Sequence, residues 1–189
     1  MKTTEITRKT KETEITLNLS ENPNSVISTG IGFFDHMLTA LFFYSKIGAE
    51  LRIRGDLSVD AHHSVEDAGI VIGQALAQAL GDKRGIKRFS HAYIPMDEAL
   101  GFCAIDVSGR AFLAFDAEFP QEKIGEYDSC LTEEFFRALS NHAGITLHLR
   151  VSGFNAHHMT EALFKAFGVA LGDAVKITGD GVNSTKGVL

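Results

Sequence analysis

The chain has 189 residues, 44% of them hydrophobic and 22% charged, and a formal net charge of −6, which predicts one compact domain over residues 1–189, or two small ones that share a core. The acidic balance and the lack of a basic or aromatic–basic stripe argue against nucleic acid or an acidic membrane surface as a partner. No apolar signal-like stretch opens the sequence, no apolar run approaches the roughly 20 residues of a membrane span, and the two cysteines lack CxxC spacing, so we expect a cytoplasmic protein with reduced thiols.

The first half begins with strand-like alternation. "TTEITRKT" and "TEITLNLS" alternate polar and apolar residues on either side of "KE", which predicts a β-hairpin. "GIGFFDHMLTALFFYSKIG" then carries a dense apolar pattern typical of a helix, and "ELRIRGDLSVD" alternates again as a strand does. The apolar spacing from His62 to about Leu80 predicts a second helix, which Gly81 ends.

The second half follows the same order. "SHAYIPMDEALGFCAIDVSGRAFLAFDAEF" predicts strands with a turn at Ser108 and Gly109. "LTEEFFRALSNHAG" predicts a helix with its exit at 141–144, "ITLHLRVSG" a strand, and "HHMTEALFKAFGVALGDAV" a long helix before the polar tail "ITGDGVNSTKGVL". The order strand–strand–helix–strand–helix therefore occurs twice.

The sequence itself is duplicated, since residues 60–76 align with residues 155–171. The aligned identities are Ala61/Ala156, His62/His157, His63/His158, Glu66/Glu161, Gly73/Gly168, Ala75/Ala170 and Leu76/Leu171. Upstream, with short gaps, "LRIR" aligns with "LHLR" and His36 stands opposite Glu134. A repeat of roughly 90 residues in two copies predicts an α+β fold with pseudo-two-fold symmetry. We expect two half-domains, about 1–90 and 91–189, each a mixed sheet of about four strands with two helices, that pack on each other or on further subunits.

The repeated HHxxE cluster has the ligand chemistry of a metal site. Imidazole nitrogen and carboxylate oxygen suit a borderline divalent ion such as Mn, Fe, Co or Zn, and the absence of cysteine argues against a structural thiolate zinc site. On a helix His62 and Glu66 share one face, whereas His63 lies about 100° round the axis. Each helix is thus expected to lend one histidine to each of two sites; if a cluster starts before its helix, the pairing inverts. The eight candidate ligands are His36, His62, His63, Glu66, Glu134, His157, His158 and Glu161.

Three other histidines have weaker signals. His91, His142 and His148 have no repeat partner and no acid at ligand spacing. We interpret His142 as a helix-exit residue and His148 as a strand residue. A lone histidine is more often a hydrogen-bonded structural group than a metal ligand. For the HHxxE motifs it is the duplication that favours metal binding.

Four motifs carry a resemblance to a known family. "GIGFFDHML", "DAHHSVEDAG", "NAHHMTEALFKAF" and "STKGVL", in this order and spacing, closely resemble imidazoleglycerol-phosphate dehydratase over essentially the whole chain. The resemblance implies a hydro-lyase of the sixth step of histidine biosynthesis, which removes water from imidazole glycerol phosphate to give imidazole acetol phosphate. It also implies two Mn²⁺ ions per active site and a cytoplasmic 24-subunit assembly with active sites between subunits.

The resemblance also assigns residues. Seven of the eight candidates match the family's ligands, with His62 and His157 in the catalytic set, while Glu134 stands where some members have His. It assigns Glu12, in "TKETEI", to substrate binding and acid–base work. Without it, Glu12 is more simply a solvated hairpin residue. Asp97 and Glu98, in "MDEAL", occupy roughly the corresponding place in the second repeat.

The substrate phosphate requires cations and hydroxyls. The positions that match the family's phosphate site are Arg88, Arg110, Ser184 and Lys186. Arginine offers a planar fork and lysine a point charge to phosphate oxygens, although each residue alone also fits a solvated surface. The glycine-containing tail is a candidate lid over substrate.

Two rival functions fit the metal cluster. Two ions can also activate water in a dinuclear hydrolase, or can join subunits in a non-enzymatic assembly protein. The phosphate-type cations favour an enzyme with a phosphorylated substrate over a purely structural metal site. The lack of a bridging-carboxylate pattern weakens the hydrolase alternative.

Overall fold

The computed structural model describes residues 2–189, and within that range the chain forms ten strands and four helices. The first half contains β1 (Thr4–Lys9), β2 (Thr13–Ser20), β3 (Val26–Ser28), α1 (Gly32–Ser45), β4 (Gly48–Gly55) and α2 (His62–Leu80). The second half contains β5 (Phe89–Met96), β6 (Ala99–Asp106), β7 (Phe112–Asp116), β8 (Lys123–Ile124), β9 (Tyr127–Asp128), α3 (Leu131–Ala143), β10 (Thr146–Ser152) and α4 (Ala156–Ala174).

The two halves contain equivalent mixed sheets. The first has the order β1-β2-β4-β3 and the second the order β5-β6-β10-β7. In each sheet the first three strands are antiparallel, and the last strand runs parallel to its neighbour. The predicted α+β fold of two half-domains, each with a four-stranded sheet and two helices, is confirmed.

The predicted strand order was incomplete. It lacked β3, which has only three residues, and the two-residue strands β8 and β9. Such short segments are not long enough to show a period-two pattern, so alternation cannot reveal them. β3 matters for the architecture because it supplies the parallel strand that makes the first sheet mixed.

The helices connect the two halves. α2 packs against β1 and β2, and α4 packs against β5 and β6, so each sheet has one face covered by a helix of its own half. The helices then pair across the halves, α2 with α3 and α1 with α4, around one core. The expectation that the halves pack on each other is thereby met through the helices.

Glycines allow these helices to approach closely. A Cβ added to Gly73 of α2 would lie 2.7 Å from the carbonyl oxygen of Leu139 in α3. A Cβ added to Gly168 of α4 would lie 2.5 Å from the carbonyl oxygen of Leu41 in α1. These two glycines occupy equivalent positions in the repeat, so both helix crossings require a residue without a side chain at the same place.

Membrane-spanning helices are absent from the described residues: none of the four is long and apolar enough to cross a bilayer.

Candidate metal centre and anion site

Both histidine pairs lie in the first turn of a helix. A polar side chain just before each pair accepts hydrogen bonds from backbone N–H groups of that turn. The Asn155 side-chain oxygen accepts hydrogen bonds from the backbone N–H groups of His157 at 2.9 Å and His158 at 3.4 Å. In the first half Asp60 accepts from the N–H of His62 at 2.8 Å. Asn155 is thus the N-cap of α4, whereas Asp60 makes its bond from the position before Ala61, the N-cap of α2.

The second-half pair belongs to a preformed three-residue cluster. His36 of α1 and His157 and Glu161 of α4 place one ligand atom each within 4.8 Å of one another. Glu161 Oε2 lies 3.2 Å from His157 Nε2 and 3.4 Å from His36 Nε2. The pairing of a histidine with the acid four residues later therefore occurs as the helical spacing predicted.

Glu161 is a buried carboxylate that stays ionised. Burial opposes its charged form, but Lys165, whose Nζ is 2.8 Å from Oε1, and His36 together hold the pKa of Glu161 below its ordinary value. Lys165 occupies Oε1, which leaves Oε2 facing the two histidines. The Phe33 ring packs edge-on to His157 at a centroid distance of 5.0 Å and limits its movement.

The first-half cluster is open. His62 Nε2 lies 3.9 Å from Glu66 Oε2, and both side chains are nearly half exposed. Glu134 lies in the first turn of α3 and does not join them as a third ligand. Within residues 2–189 only His36, His157 and Glu161 satisfy the three-ligand geometry, so one chain brings together three of the eight predicted ligands.

The second histidine of each pair points to a different set of acids. His63 Nδ1 lies 3.1 Å from both carboxylate oxygens of Asp56, and His63 Nε2 lies 3.8 Å from Glu12. His158 Nδ1 lies 2.8 Å from Glu98, and His158 Nε2 lies 3.9 Å from Asp97. The hydrogen-bonding carboxylates, Asp56 and Glu98, raise the pKa of the two imidazoles, and His158 in turn lowers the pKa of Glu98. Sequence reasoning named Glu98 but missed Asp56, whose signal was an acid directly after strand β4.

Clefts open beside these groups. One of about 380 Å³ is lined in part by His157, His158 and Glu98. Another of about 290 Å³ is lined by the β1–β2 turn that carries Glu12 and by Asp56. The second-half cleft is therefore lined by imidazoles and a carboxylate, and the first-half cleft by carboxylates that contact His63.

Two predicted phosphate-binding arginines share one carboxylate. Arg88 Nε lies 2.7 Å from Asp106 Oδ1, and Arg110 Nη2 lies 3.2 Å from Asp106 Oδ2. Asp106 was not singled out from the sequence; it ends β6 just before the Ser108 turn. Arg88 has a left-handed backbone with φ of 77°, a conformation that costs energy for a non-glycine residue and often marks a functional position.

The C-terminal tail is docked against the same region. The Arg88 guanidinium donates to the carbonyl of Asn183 at 2.8 Å, and the Asn183 amide donates to the carbonyl of Lys87 at 2.8 Å. Ser184 Oγ accepts from the backbone N–H of Lys186 at 3.2 Å. The tail therefore lies against Arg88. Of the four predicted phosphate-binding residues, Arg88 and Arg110 are linked by direct contacts with Asp106.

The remaining histidines have structural surroundings. His142, in the last turn of α3, donates from Nδ1 to the carbonyl of Ala138 at 2.9 Å, as its helix-exit interpretation predicts. His148 lies on the exposed face of β10 beside the Phe112 ring, and His91 is exposed on β5. Neither belongs to the three-ligand cluster.

Comparisons with known proteins agree on one family. The family model described as imidazoleglycerol-phosphate dehydratase matches residues 29–171. The enzyme of that name from Bacillus cereus (strain B4264) is 55% identical over 187 residues, with 96% of each chain covered.

Solved structures agree as well. The crystal structure of imidazoleglycerol-phosphate dehydratase from Staphylococcus aureus subsp. aureus N315 matches with a TM-score of 0.86 and 41% identity, covering 94% of this chain and 100% of that one. The crystal structure of IGPD from Pyrococcus furiosus in complex with (S)-C348 matches with a TM-score of 0.87 and 37% identity, covering 97% and 100%.

Proposed function

We propose that this chain, which belongs to the imidazoleglycerol-phosphate dehydratase family, uses two Mn²⁺ ions to eliminate water from imidazole glycerol phosphate and form imidazole acetol phosphate. As a dehydratase of histidine biosynthesis it is a hydro-lyase. The observation that carries the proposal is the convergence of His36, His157 and Glu161, in a chain that repeats the histidine–glutamate pair at His62 and Glu66.

The donor set fits such an ion. Two imidazoles and one ionised carboxylate are the mixed nitrogen and oxygen ligands that Mn²⁺ and related divalent ions accept. Oε2 of the buried Glu161 lies close to both imidazoles, so a cation placed between them would meet one carboxylate oxygen and two ring nitrogens. His36, His157 and Glu161 are assigned to one ion, and His62 and Glu66 to the other.

When bound, the ions would act as Lewis acids on the imidazole ring of the substrate, through which electrons pass as water is lost. The residues supply the proton transfer and the positioning. Glu12 lies 3.8 Å from His63 Nε2 on an exposed turn and so can reach a substrate held at that imidazole. We assign Glu12 to moving a proton at the substrate carbon or at the leaving hydroxyl.

The substrate phosphate is assigned to Arg88, Arg110, Ser184 and Lys186. Asp106 accepts from Nε and Nη2 of Arg88 and from Nη2 of Arg110, so it holds both guanidinium groups in one place and leaves most of the Arg110 donors for an anion. The tail against Arg88 brings Ser184 and Lys186 into the same half of the molecule. Fixing the phosphate orients the imidazole end of the substrate without needing binding energy from the reacting atoms.

The active sites are proposed to lie between subunits of a 24-subunit assembly. The support is that one chain completes no site: His62 and Glu66 lack a third ligand within the described residues, and His63 and His158 point away from the three-ligand cluster. A neighbouring chain that brings its second-half cluster to this chain's first-half cluster supplies the missing groups.

The outer sheet faces support self-association. The first sheet exposes charged residues such as Glu14, Arg52 and Arg54, as a solvated face does. The second sheet exposes large hydrophobic side chains, Phe89, Tyr93, Leu100 and Phe112. Apolar clusters of this kind are characteristic of protein interfaces.

We also propose a cytoplasmic location. Cys103 and Cys130 are both unpaired, and burial raises the pKa of the Cys103 thiol. Free thiols are maintained in a reducing compartment, which is also where amino-acid biosynthesis takes place.

The test is a reconstitution assay. Purified protein is stripped of metal with a chelator, reloaded with Mn²⁺, and mixed with imidazole glycerol phosphate. We expect imidazole acetol phosphate only in the reloaded sample. A reloaded sample that forms none overturns the dehydratase proposal, and release of inorganic phosphate instead supports the dinuclear hydrolase.

A further inference from the structure

The second histidine of each HHxxE motif has a carboxylate on Nδ1, and the carboxylate comes from a different element in each half. His63 meets Asp56 in the loop after β4, whereas His158 meets Glu98 in the β5–β6 turn. Position 56 aligns with Val151 or Ser152, depending on where the one-residue gap falls, and neither is an acid, so the duplication did not supply this pairing. Two unrelated positions perform the same contact.

The contacts determine which ring nitrogen is free. A carboxylate has no hydrogen to donate, so the nitrogen facing it carries the proton. The proton of His63 and of His158 is therefore placed on Nδ1, at 3.1 Å from Asp56 and 2.8 Å from Glu98. In a neutral imidazole this leaves Nε2 with the lone pair that a metal needs.

Glu98 is itself held in place. Its Oε2 accepts from His158, while its Oε1 accepts the backbone N–H groups of Asn155 at 2.9 Å and Phe154 at 3.3 Å. These N–H groups immediately precede α4, so the carboxylate joins the β5–β6 turn to the start of the helix. The side chain is only 17% exposed, which distinguishes the contact from a solvated surface pair.

Asp56 is held less firmly. Both of its carboxylate oxygens face His63, and its own N–H donates to the carbonyl of Glu12 at 3.1 Å. Within the described contacts its carboxylate has no second anchor comparable to the backbone pair on Glu98.

We propose that Asp56 and Glu98 are positioning residues that orient His63 and His158 so that each binds a metal ion through Nε2. The inference rests on the proposed function, because it concerns ligands of the two Mn²⁺ ions. It goes beyond that function by assigning the ligand atoms and by naming the carboxylate behind each imidazole.

The test is stepwise Mn²⁺ binding by the assembled, chelator-stripped protein, measured by competition with a fluorescent chelator. Glu98→Ala and Asp56→Ala are each expected to weaken one of the two binding steps by about 10- to 100-fold and to leave the other step unchanged. Glu98 is expected at the upper end because it is more firmly anchored. Glu98→Gln and Asp56→Asn keep an acceptor oxygen at the same place, so each should recover part of the lost affinity.

The control is Asp116→Asn, which removes an exposed carboxylate paired with Arg150 and should leave both steps unchanged. Circular dichroism and particle mass identify any variant that fails to fold, and the amide variants then decide the test. Two normal binding steps in the alanine variants overturn the positioning role while the metal proposal stands. A wild-type protein that binds no Mn²⁺ overturns the proposed function itself.

Discussion

The two HHxxE clusters share a motif but not an environment. Glu161 is 7% exposed and lies 3.2 Å from His157, whereas Glu66 is 46% exposed and lies 3.9 Å from His62. The second-half cluster also receives His36 from α1, while the first-half cluster has no third ligand within the described residues. The duplicated motif thus places a histidine and an acid on one helix face in each half, but only in the second half does the neighbouring helix add a third candidate ligand.

The difference has a local cause. Lys165 forms an ion pair with Glu161, and the residue at the equivalent place in α2 is Ile70, which can form none. Phe33 packs against His157 from α1, the helix that also carries His36. Among residues 2–189 the first-half cluster has neither a cation paired with Glu66 nor a third metal ligand from a partner helix.

Glu161→Gln is expected to have the largest effect. It removes the only carboxylate of the preformed cluster, so turnover should fall by more than about 100-fold. Loss of a residue that only hydrogen-bonds a metal ligand costs about 10- to 100-fold, and loss of a ligand should cost more. In a Mn²⁺ titration the tighter of the two binding steps should disappear, because the preformed cluster binds first.

Glu66→Gln is the matched variant in the open cluster, and it should remove the weaker step. Glu133→Gln, an exposed α3 carboxylate paired with Arg137, is the control and should change neither step. If Glu66→Gln removed the tighter step instead, the contrast between the clusters would be refuted.

Gly73→Ala and Gly168→Ala test the two helix crossings. Each added methyl would lie under 3 Å from a backbone carbonyl oxygen, and overpacking of this kind costs about 1–3 kcal/mol, which outweighs the higher helix propensity of alanine. Thermal unfolding should shift down by about 2–10 °C.

Gly32→Ala is the control for these variants, because an added Cβ there would meet nothing within 4 Å. Its unfolding temperature should stay the same or rise. An unchanged unfolding temperature in both crossing variants would mean that the halves are not held at these contacts.

Asp106→Asn probes the anion site, which lies in the second half and the tail. Loss of the charge should loosen Arg88 and Arg110, so we expect KM for the phosphorylated substrate to rise by about 10-fold with kcat little changed, equivalent to about 1.4 kcal/mol of binding. Steady-state kinetics check this. A fall in kcat at constant KM would remove the phosphate assignment.

Asp173→Asn is expected to have the smallest effect. Hydrogen bonds from Lys87 and Ser90 lower the pKa of Asp173 to about 2, from a usual value of 3.8. Since the folded-state pKa is the lower one, the stabilisation is complete above about pH 4 and is lost as the pH falls toward 2. The variant should therefore be less stable than wild type at pH 7, by about 1 kcal/mol, and equally stable near pH 2.

Urea unfolding at the two pH values measures the difference. A constant gap between Asp173→Asn and wild type from pH 7 to pH 2 would contradict the charge-based account. Asp67 offers a comparison in the first half, since Arg8 and Thr13 bind its carboxylate and so attach α2 to the first sheet.

Much of the fold was accessible from the sequence. The bounds of α2 follow from apolar periodicity and Gly81, and the two half-domains follow from the repeat. β3 was not accessible, because three residues cannot show a period and its pairing with β4 is a long-range contact. The sequence showed Gly73 and Gly168 as an aligned pair, but it did not show that each glycine lies against a backbone carbonyl of the neighbouring helix.

The site was predicted in part. The i and i+4 pairing of His157 with Glu161 follows from helix geometry, and it is present in the structure. The contacts of Asp56 with His63 and of Asp106 with two arginines depend on how loops fold back, which no local pattern encodes. Within one chain Glu134 lies outside the three-ligand cluster, so its role as a metal ligand stays a prediction.

The central claim is that each chain contributes ligands to two metal ions. Anomalous diffraction at the manganese edge, from crystals of the reloaded assembly, tests it most directly. The account predicts two peaks per chain, one among His36, His157 and Glu161 and one beside His62 and Glu66. A single peak per chain, or none among His36, His157 and Glu161, would contradict it.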